Sequence, residues 1–347
     1  MAEYGKCGAG LQPEKENQES LQYGQDERRP MVVLTGPTAV GKTRLSIALA
    51  KAVNGEIISA DSMQVYRHMD IGSAKITPEE MQGVPHHMID ILEPWEPFNV
   101  VIFQEKCKEA LAGIYERGNI PIVTGGTGFY IQALLRDIDF TENEENTEYR
   151  RTLERLGEEK GAEYLHDLLR QADPAAAEAI HANNKKRTIR ALEFYHFTGR
   201  RISEHNEREK QKASAYNSCY FVLNDARENL YARIEQRIDE MLEAGLAEEV
   251  KALRDMGCSR NMVSMQGLGY KELLAWLDGV ISYDRAVEIL KRDTRHFAKR
   301  QLTWFRREQE VVWVNKDEFG YDEAKILEFL LRELEKRNIR ALCPKKD

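Results

Sequence analysis

Between residues 31 and 140, short apolar runs alternate along the chain with longer amphipathic runs. The apolar run MVVLT comes first, and a glycine-rich stretch and a helical pattern follow it. Three more strand-like runs occur further along: EIISA, which ends just before Asp61, then HHMIDI and IPIVTGG. Helices are predicted from about Asn99 to Arg117 and from about Thr127. Strands that alternate with helices at this spacing predict a parallel sheet covered on both faces.

The strand pattern stops between about Phe140 and Tyr216, where charged helical runs such as TEYRRTLERLGEEK replace it. It resumes at CYFVLN, near Cys219, and at VVWV, and a last helix is predicted from about Glu323. The predicted fold class is therefore α/β, with a parallel-sheet core that carries an inserted helical domain. The predicted division is a disordered N-terminal extension 1–30, a core part 31–140, an inserted helical domain 141–215, a second core part 216–335 with a basic helix 291–307, and a C-terminal tail 336–347.

The composition of the 347-residue chain is that of an ordinary globular protein, and its formal net charge is −8. A negative protein repels nucleic acid overall, so RNA binding would have to depend on local basic clusters. The five cysteines are scattered and form no CxxC pair, which argues against a disulfide framework and a structural zinc site. No apolar stretch is long enough for a membrane span or a secretory signal. We expect a cytoplasmic protein without membrane contact, acting as a monomer.

The glycine-rich stretch GPTAVGKT matches the pattern GxxxxGK[ST] of a phosphate-binding P-loop. It lies between a predicted strand and a predicted helix, where backbone N–H groups and the helix dipole converge on phosphate oxygens. Lys42 adds a point charge and Thr43 can ligate Mg²⁺, so Mg²⁺ is the expected cofactor. The pattern does not distinguish ATP from an organic diphosphate. The residues of the predicted loop are Gly36, Pro37, Thr38, Ala39, Val40, Gly41, Lys42 and Thr43.

Four longer motifs occur in order along the chain. They are DSMQVYRHMDIGSAKIT from Asp61, GVPHHMIDILEPWEPFNV from Gly83, GGTGFYIQALL from Gly125 and RDTRHFAKRQLTWFRR from Arg292. Together, over about residues 32–313, the chain resembles the tRNA dimethylallyltransferase family, also called tRNA isopentenyltransferase. That family transfers a dimethylallyl group from its diphosphate to N6 of the adenosine 3′ of the anticodon and releases diphosphate.

The resemblance implies a P-loop NTPase-like core with a helical insertion, in agreement with the pattern of strands and helices. It also implies that the P-loop binds a diphosphate leaving group, so that ATP hydrolysis is not required. The expected partners are dimethylallyl diphosphate and the anticodon stem-loop of tRNA.

Asp61 comes directly after a predicted strand and beside the P-loop, as a catalytic or metal-binding carboxylate would. The resemblance implies that Asp61 accepts a hydrogen bond from the adenine amino group as general base. The alternative is a Mg²⁺ partner of the kind found in other P-loop enzymes. Asp90, in HHMIDI, also ends a predicted strand and could take the metal-side role instead. Thr38 resembles a substrate-contacting threonine, although its hydroxyl could simply satisfy the backbone of the loop.

Arg237 is predicted to face inward from a helix that spans about Arg227 to Glu243. At about 100° per residue it falls nearly in line with the apolar Leu230 and Met241. An arginine on such a face is costly unless it meets an anion. The resemblance implies a diphosphate contact for this arginine, the last residue of RIEQR. The alternative is a side chain that reaches solvent from the edge of the apolar stripe.

The resemblance also implies that several further residues contact tRNA. Ser62, Met63 and Gln64 match the segment that holds the flipped-out base, and the Gln64 amide has the donor and acceptor needed to recognise an adenine edge. Thr127, in GGTG, matches a tRNA contact and could also cap the helix that it opens.

Although the net charge is negative, two basic clusters could form an RNA-binding surface. Residues 291–307 hold seven Lys or Arg and one acidic residue. On a helical projection Arg292, Arg295, Lys299 and Arg306 fall within about 60°, opposite Leu290, Phe297 and Trp304. The second cluster, KRTIR, matches a tRNA-contact segment, and Arg150 matches another. A solvated basic face is the alternative for residues 291–307, for KRTIR and for Arg150. The residues of KRTIR are Lys186, Arg187, Thr188, Ile189 and Arg190.

Two other enzyme classes are compatible with the P-loop. Adenylate isopentenyltransferases prenylate free AMP, ADP or ATP and share much of the same core, but a nucleotide acceptor needs neither the helical insertion nor a basic helix. A small-molecule kinase would also use the loop, and no feature of the sequence favours it.

Overall fold

The computed structural model describes residues 28–140 and 148–340. Within these residues six parallel strands form one sheet in the order β3-β2-β4-β1-β5-β6. The strands are β1 (Pro30–Thr35), β2 (Gly55–Ser59), β3 (His86–His87), β4 (Ile120–Gly125), β5 (Asn217–Asn224) and β6 (Val311–Asn315). The prediction of an α/β fold with a parallel sheet is confirmed.

The central strand β1 lies between β4 and β5, and Val32 pairs with Ile122 on one side and with Cys219 on the other. Its apolar side chains are fully buried. Parallel strands that are covered on both faces appear in a sequence as unbroken apolar runs, which explains why MVVLT does not alternate with polar residues. The carboxyl ends of β1, β2 and β4 therefore meet at one edge, where the P-loop begins.

Four helices lie between the strands of the first core part: α1 (Lys42–Val53), α2 (Pro78–Met81), α3 (Val100–Glu116) and α4 (Gly128–Leu135). The side chain of Asn99 caps α3 by accepting hydrogen bonds from the N–H groups of Val101 and Ile102, at 2.9 and 3.1 Å. Arg117 takes the C-cap position, so the predicted bounds of this helix are confirmed.

Between β4 and β5, residues 148–211 form a series of helices that we call the helical insertion. It contains α5 (Glu148–Glu159), α6 (Ala162–Ala172), α7 (Pro174–Ala179), α8 (Lys185–Thr198) and α9 (Ile202–Gln211). These helices enclose a hydrophobic cluster of their own, which includes Leu153, Leu165, Leu169 and Leu192. Asp173 caps α7 and accepts hydrogen bonds from Ser203, which ties α9 to the bundle. Residues 141–147, where the insertion is predicted to begin, lie outside the described residues.

Five helices complete the core: α10 (Arg227–Glu243), α11 (Leu246–Asp255), α12 (Tyr270–Leu277), α13 (Tyr283–Phe305) and α14 (Glu323–Lys336). The predicted bounds of α10 and the predicted start of α14 are confirmed. Helix α13 is longer than the predicted basic segment, because Ser282 caps it by accepting a hydrogen bond from the N–H of Arg285 at 3.2 Å. Short 3-10 turns occupy Ser264–Gln266 and Lys316–Phe319.

HHMIDI was predicted to form a strand, but the observed strand β3 contains only His86–His87. The chain turns where Met88 and Asp90 adopt positive φ angles of 66° and 54°, so Asp90 does not end a strand. The N-terminal strand begins at Pro30, inside the predicted extension 1–30. At the other end Ile339 packs into the core, inside the predicted tail 336–347. Residues 1–27 and 341–347 of these two predicted segments lie outside the described residues.

Two further features concern the described residues only. Cys107, Cys219 and Cys258 are buried free thiols. No helix within 28–140 and 148–340 combines the length and the apolar character needed to cross a lipid bilayer.

Candidate active site

The P-loop connects β1 to α1 with a backbone that requires glycine at its start. Gly36 has a φ of 151°, and a Cβ atom there would come within 2.5 Å of the Leu223 carbonyl oxygen on β5. Gly41, at the N-cap of α1, has a φ of 95°. The loop therefore packs directly against the neighbouring strand and enters α1 with its N–H groups exposed to a ligand.

Three cations hold the carbonyl groups of this loop. The Lys42 Nζ donates to the carbonyl oxygens of Gly36 and Pro37 at 3.0 and 2.9 Å. The Arg233 Nε donates to the Ala39 carbonyl at 3.1 Å, and the Lys316 Nζ donates to the Val40 carbonyl at 3.3 Å. Because the carbonyl dipoles point to cations, the opposite side of the loop presents N–H groups, which suits an anion.

Arg233 and Lys316 were not predicted as loop residues. Two signals were available in the sequence: Arg233 lies one helical turn before Arg237, and Lys316 directly follows the apolar run that forms β6. The carboxyl end of a parallel strand is where ligands bind in such sheets.

A cavity of about 300 Å³ opens beside the P-loop. Seven of the predicted site residues line it, namely Thr38, Ala39, Asp61, Ser62, Met63, Thr127 and Arg237. The apolar side chains of Ile234, Ile238 and Met241 from α10 form part of its wall. A larger cavity of about 1180 Å³ lies between the helical insertion and the end of α13, and it contains none of the predicted site residues. The smaller cavity is therefore the candidate active site, because the phosphate loop and the carboxylate meet there.

Lys42, Arg237 and Asp61 influence one another electrostatically where the P-loop meets the cavity. Burial and, to a smaller extent, the nearby Arg237 charge together lower the pKa of Lys42 to about 8, while Asp61 opposes both effects. Burial also lowers the pKa of Arg237, again against the effect of Asp61. Within the described residues no carboxylate oxygen lies within 4.0 Å of the Arg237 guanidinium. Two desolvated cations beside one carboxylate form a site that is stabilised by a bound anion.

Asp61 occupies the edge of the sheet just after β2. The Ala60 N–H donates to the Thr124 carbonyl at 2.7 Å, which keeps this segment beside β4. One oxygen of Asp61, Oδ1, accepts a hydrogen bond from the Met63 N–H at 2.9 Å, and no other described residue donates to this carboxylate. The side chain faces the cavity with accepting capacity left for a ligand amino group.

The prediction that Gln64 recognises an adenine edge does not fit the structure. Its Nε2 donates to the carbonyl oxygens of Ser73 and Ala74 at 3.4 and 3.2 Å, and its Oε1 accepts from the Ser59 hydroxyl at 2.9 Å. Gln64 is also absent from the cavity lining. Its amide instead holds residues 73 and 74, which form part of the cavity wall.

The metal-side role predicted for Asp90 is not supported either. Its carboxylate forms an ion pair with Lys75 at 2.6 Å, and Asp90 does not line the cavity. Lys75 is almost fully buried and also pairs with Asp70 at 2.5 Å. These two carboxylates therefore neutralise a buried lysine.

Gln301 of α13 is a structural link that the sequence did not reveal. Its Oε1 accepts a hydrogen bond from the Thr38 N–H at 2.9 Å, and its Nε2 donates to the Gly126 carbonyl at 2.9 Å. One buried amide thus fixes the P-loop and the GGTG segment to the same helix. Thr127, beside Gly126, takes the N-cap position of α4, but its side chain makes no capping hydrogen bond and faces the cavity.

The geometry of this site agrees with the comparisons to known proteins. Residues 64–308 match the model of the IPP transferase family, and residues 30–91 match that of the isopentenyl transferase family. A relative from Lachnoclostridium phytofermentans described as tRNA dimethylallyltransferase is 60% identical over 311 residues, which cover 90% of this chain and 99% of the relative. The chain belongs to the tRNA dimethylallyltransferase family.

Solved structures of similar proteins have the same fold. The full-length tRNA isopentenylpyrophosphate transferase from Bacillus halodurans is 44% identical with a TM-score of 0.67, over 90% of this chain and 98% of that one. The corresponding enzyme from Staphylococcus epidermidis is 42% identical with a TM-score of 0.66, over 89% of this chain and 100% of that one. A eukaryotic dimethylallyltransferase acting on tRNA has a TM-score of 0.78 at 29% identity, over 92% of this chain and 81% of that one.

For a member of this family, the basic face of α13 is the first candidate RNA surface. Leu290 is buried and Phe297 is half-buried, so the packing side of the predicted helix is confirmed. Lys299 and Arg306 are exposed, whereas Arg295 forms an ion pair with Glu235 at 2.5 Å. The same helix places a further cation, Arg300, in the cavity lining, with its guanidinium 5.8 Å from the centre of the Phe297 ring. Arg300 was not among the predicted residues, because on the helical projection it falls outside the predicted basic face.

The predicted RNA residues of the insertion separate into two groups. Lys186, Arg187 and Arg190 are exposed at the start of α8. Thr188 and Ile189 are 0% and 6% exposed and pack inside the bundle, so the tRNA contact predicted for them has no support from their side chains. The Thr188 hydroxyl donates instead to the Asn184 carbonyl at 3.1 Å.

Arg150 points into the insertion. Its Nε and Nη2 donate to one carboxylate oxygen of Glu193 at 3.0 and 2.7 Å, and the Glu193 side chain is fully buried. This pair ties α5 to α8, and the contact with tRNA that was predicted for Arg150 stays a prediction without structural support.

The residues near the P-loop fit a Mg²⁺ ion that is held mainly by substrate phosphates and water. Within the described residues no group of three or more His, Cys, Asp or Glu side chains could hold a metal. Magnesium usually keeps several waters and binds through substrate phosphates rather than through a cage of protein ligands. The exposed Thr43 hydroxyl at the start of α1 therefore fits a Mg²⁺ ion that arrives with a diphosphate.

Proposed function

We propose that the protein transfers a dimethylallyl group from dimethylallyl diphosphate to N6 of the adenosine 3′ of the anticodon in tRNA and releases diphosphate. One observation carries the proposal: a single cavity brings the P-loop, the Asp61 carboxylate and the half-buried Arg237 side chain together. Membership of the family supports the reaction, and the desolvated cations support the anionic leaving group.

The cations of the cavity act on the leaving group. When the allylic C–O bond breaks, its electron pair remains on the diphosphate, so negative charge grows next to Lys42 and Arg237. Donors that are already oriented toward such charge lower the barrier, typically by about 2.7 to 4 kcal/mol each. When bound through the diphosphate oxygens and Thr43, Mg²⁺ would supply further neutralisation of that charge.

Asp61 acts on the nucleophile. The N6 nitrogen forms a bond to the allyl carbon and loses a proton, which the Asp61 carboxylate accepts. A positioned base typically contributes about 10²- to 10⁴-fold. The adenine has to leave the base stack to reach a cavity of this size, which costs least in an anticodon loop.

The RNA would be held from two sides. Lys186, Arg187 and Arg190 project from the helical insertion, and Lys299 and Arg306 project from α13. Exposed cations on both elements give an acidic protein the local positive charge that phosphates require. Ser62, Met63 and Thr127, which line the cavity, would contact the flipped-out base.

The test is a transfer assay with Mg²⁺, dimethylallyl diphosphate and unmodified tRNA. We expect one adenosine to gain a single C₅H₈ unit, detected by mass spectrometry of the digested tRNA. Product from AMP but not from tRNA would assign the chain to adenylate isopentenyltransferases. Transfer of γ-phosphate from ATP without any prenyl product would assign it to kinases.

The general-base assignment is tested separately with Asp61→Asn. We expect turnover to fall by about 10²-fold or more while tRNA binding stays close to that of the unaltered protein. Unchanged turnover would remove Asp61 from the mechanism.

A further inference from the structure

Glu249 of α11 is bonded to the backbone of the loop that forms one wall of the cavity. Its carboxylate accepts hydrogen bonds from three consecutive N–H groups, those of Asp70, Ile71 and Gly72, at 2.9, 2.7 and 3.1 Å. It also accepts the hydroxyl of Tyr270 at 2.7 Å. No described cation forms an ion pair with Glu249, so these four donors are its partners within the structure.

Tyr270 is fully buried between two glycine-containing segments. A Cβ atom on Gly72 would come within 2.6 Å of the Tyr270 ring. A Cβ atom on Gly267 would come within 3.1 Å of the same ring and within 2.7 Å of the Met63 sulfur. The ring therefore rests directly on the backbone of both segments and fixes the distance between them.

Both segments line the candidate active site. Residues 72–74 and 267–269 belong to the cavity wall, as does Met63. The side chains of Ile234, Ile238 and Met241 from α10 also belong to it and give the wall an apolar part. The hydrocarbon part of an allylic diphosphate suits such a surface, while its phosphates suit the P-loop.

The Tyr270 phenol stays protonated near neutral pH. Burial, and then the Glu249 charge, raise the pKa of Tyr270 well above its usual value, so the phenol remains a donor. Glutamine cannot replace a carboxylate that accepts four hydrogen bonds. Glutamine has one acceptor oxygen, and its NH₂ group would face N–H donors that then lose their partner.

We propose that Glu249 and Tyr270 are positioning residues that fix the width of the apolar part of the cavity and thereby restrict the donor to a five-carbon chain. The proposal rests on the proposed function, which supplies the class of donor. Glu249 acts through the 70–72 loop and Tyr270 acts through residues 72 and 267. Neither residue is in the cavity lining, so neither touches the donor itself.

The experiment compares Glu249→Gln and Tyr270→Phe with Glu248→Gln, an exposed neighbour on the same helix. Each full-length variant receives dimethylallyl diphosphate and geranyl diphosphate in competition, with tRNA as acceptor. We expect Glu249→Gln to raise KM for the five-carbon donor about tenfold, with a smaller change in kcat. The ratio of ten-carbon to five-carbon product should also increase about tenfold. Tyr270→Phe should change both in the same direction by less, and Glu248→Gln should change neither.

A purely structural role would give a different result. If kcat/KM falls equally for both donors in folded variants, so that the product ratio is unchanged, the proposal is overturned. If Glu249→Gln does not fold, the ratio for Tyr270→Phe, which keeps the ring, decides between the two outcomes. If the unaltered protein transfers no prenyl group at all, the proposed function fails. The ratio of the two donors' Kd values, measured by calorimetry, then tests the width of the cavity without turnover.

Discussion

The core and the helical insertion use arginine in opposite ways. Arg237 in the core lines a cavity, its pKa is lowered by burial, and no described carboxylate pairs with it. Arg150 in the insertion donates two hydrogen bonds to the buried Glu193. Both arginines match motifs that imply a ligand contact, but only the unpaired one is left with charge for a ligand. The partner of a charged side chain, rather than its motif, separates a binding residue from a structural one.

The aspartates differ in the same manner. Asp61 accepts one backbone hydrogen bond and faces the cavity, whereas Asp90 neutralises the buried Lys75. Both follow apolar runs that predict strands. The difference arises because the chain turns after His87, which removes Asp90 from the sheet edge that carries the P-loop.

Removing the unpaired arginine should have the largest effect. We expect Arg237→Ala to lower kcat by about 10²- to 10³-fold at saturating dimethylallyl diphosphate, because one preoriented donor to the leaving group is lost. Arg44→Ala is the matched control, since Arg44 is exposed on α1 and pairs with Glu323 on the surface. Equal losses in the two variants would remove Arg237 from the diphosphate site.

Removing the paired arginine should affect stability instead of chemistry. Arg150→Ala removes a cation that is hydrogen-bonded to the buried Glu193 carboxylate, which we expect to lower the free energy of unfolding by about 3 kcal/mol. The lower end of the usual range applies because 23% of the Arg150 side chain is exposed. Arg155→Ala, which breaks an exposed pair with Glu159 on the same helix, should cost less than about 1 kcal/mol. Denaturant unfolding measures both. A fall in turnover per folded Arg150→Ala molecule would instead favour a role in substrate binding.

The lowered pKa of Lys42 predicts a pH dependence of donor binding. Lys42 is a cation below its pKa of about 8 and becomes neutral as the pH rises through that value in the free protein. The Kd of dimethylallyl diphosphate should therefore increase above about pH 8, by up to about tenfold per pH unit for one linked proton. Calorimetry between neutral and alkaline pH checks this dependence. Lys42→Met should bind weakly with a flatter profile, and a similar slope in that variant would assign the proton to another group.

The smallest expected effect separates two cations of α13. Lys299 is exposed, and Arg295 is paired with Glu235. We expect Lys299→Ala to reduce the slope of log Kd against log salt for tRNA by about 0.7 to 0.9, the value for one lost phosphate contact. Arg295→Ala should change the slope less, because its charge is already compensated. A larger change for Arg295 would mean that the RNA displaces Glu235.

The sequence predicted the parts of the fold that depend on local pattern. The strands, the bounds of α10, and the cavity residues Thr38, Asp61 and Arg237 follow from apolar periodicity and from motifs. The roles of Gln64, Gln301 and Glu249 could not be predicted in this way. Their partners are backbone groups of other segments, as far away as 263 residues for the bond from Thr38 to Gln301. Amide and carboxylate groups with such partners show no periodicity, so only the folded chain reveals what they bind.

The glycines of GGTG allow close packing against a distant helix. A Cβ atom on Gly126 would lie 2.1 Å from the Gln301 amide nitrogen, and one on Gly128 would lie 2.2 Å from the Trp304 ring. Both neighbours belong to α13, a helix of 23 residues that contacts this motif across about 175 positions of sequence. An alanine at either glycine would force the Gln301 or the Trp304 side chain to move. Glycines in the first half of the chain are therefore matched to a helix that lies near the C-terminal end of the sequence.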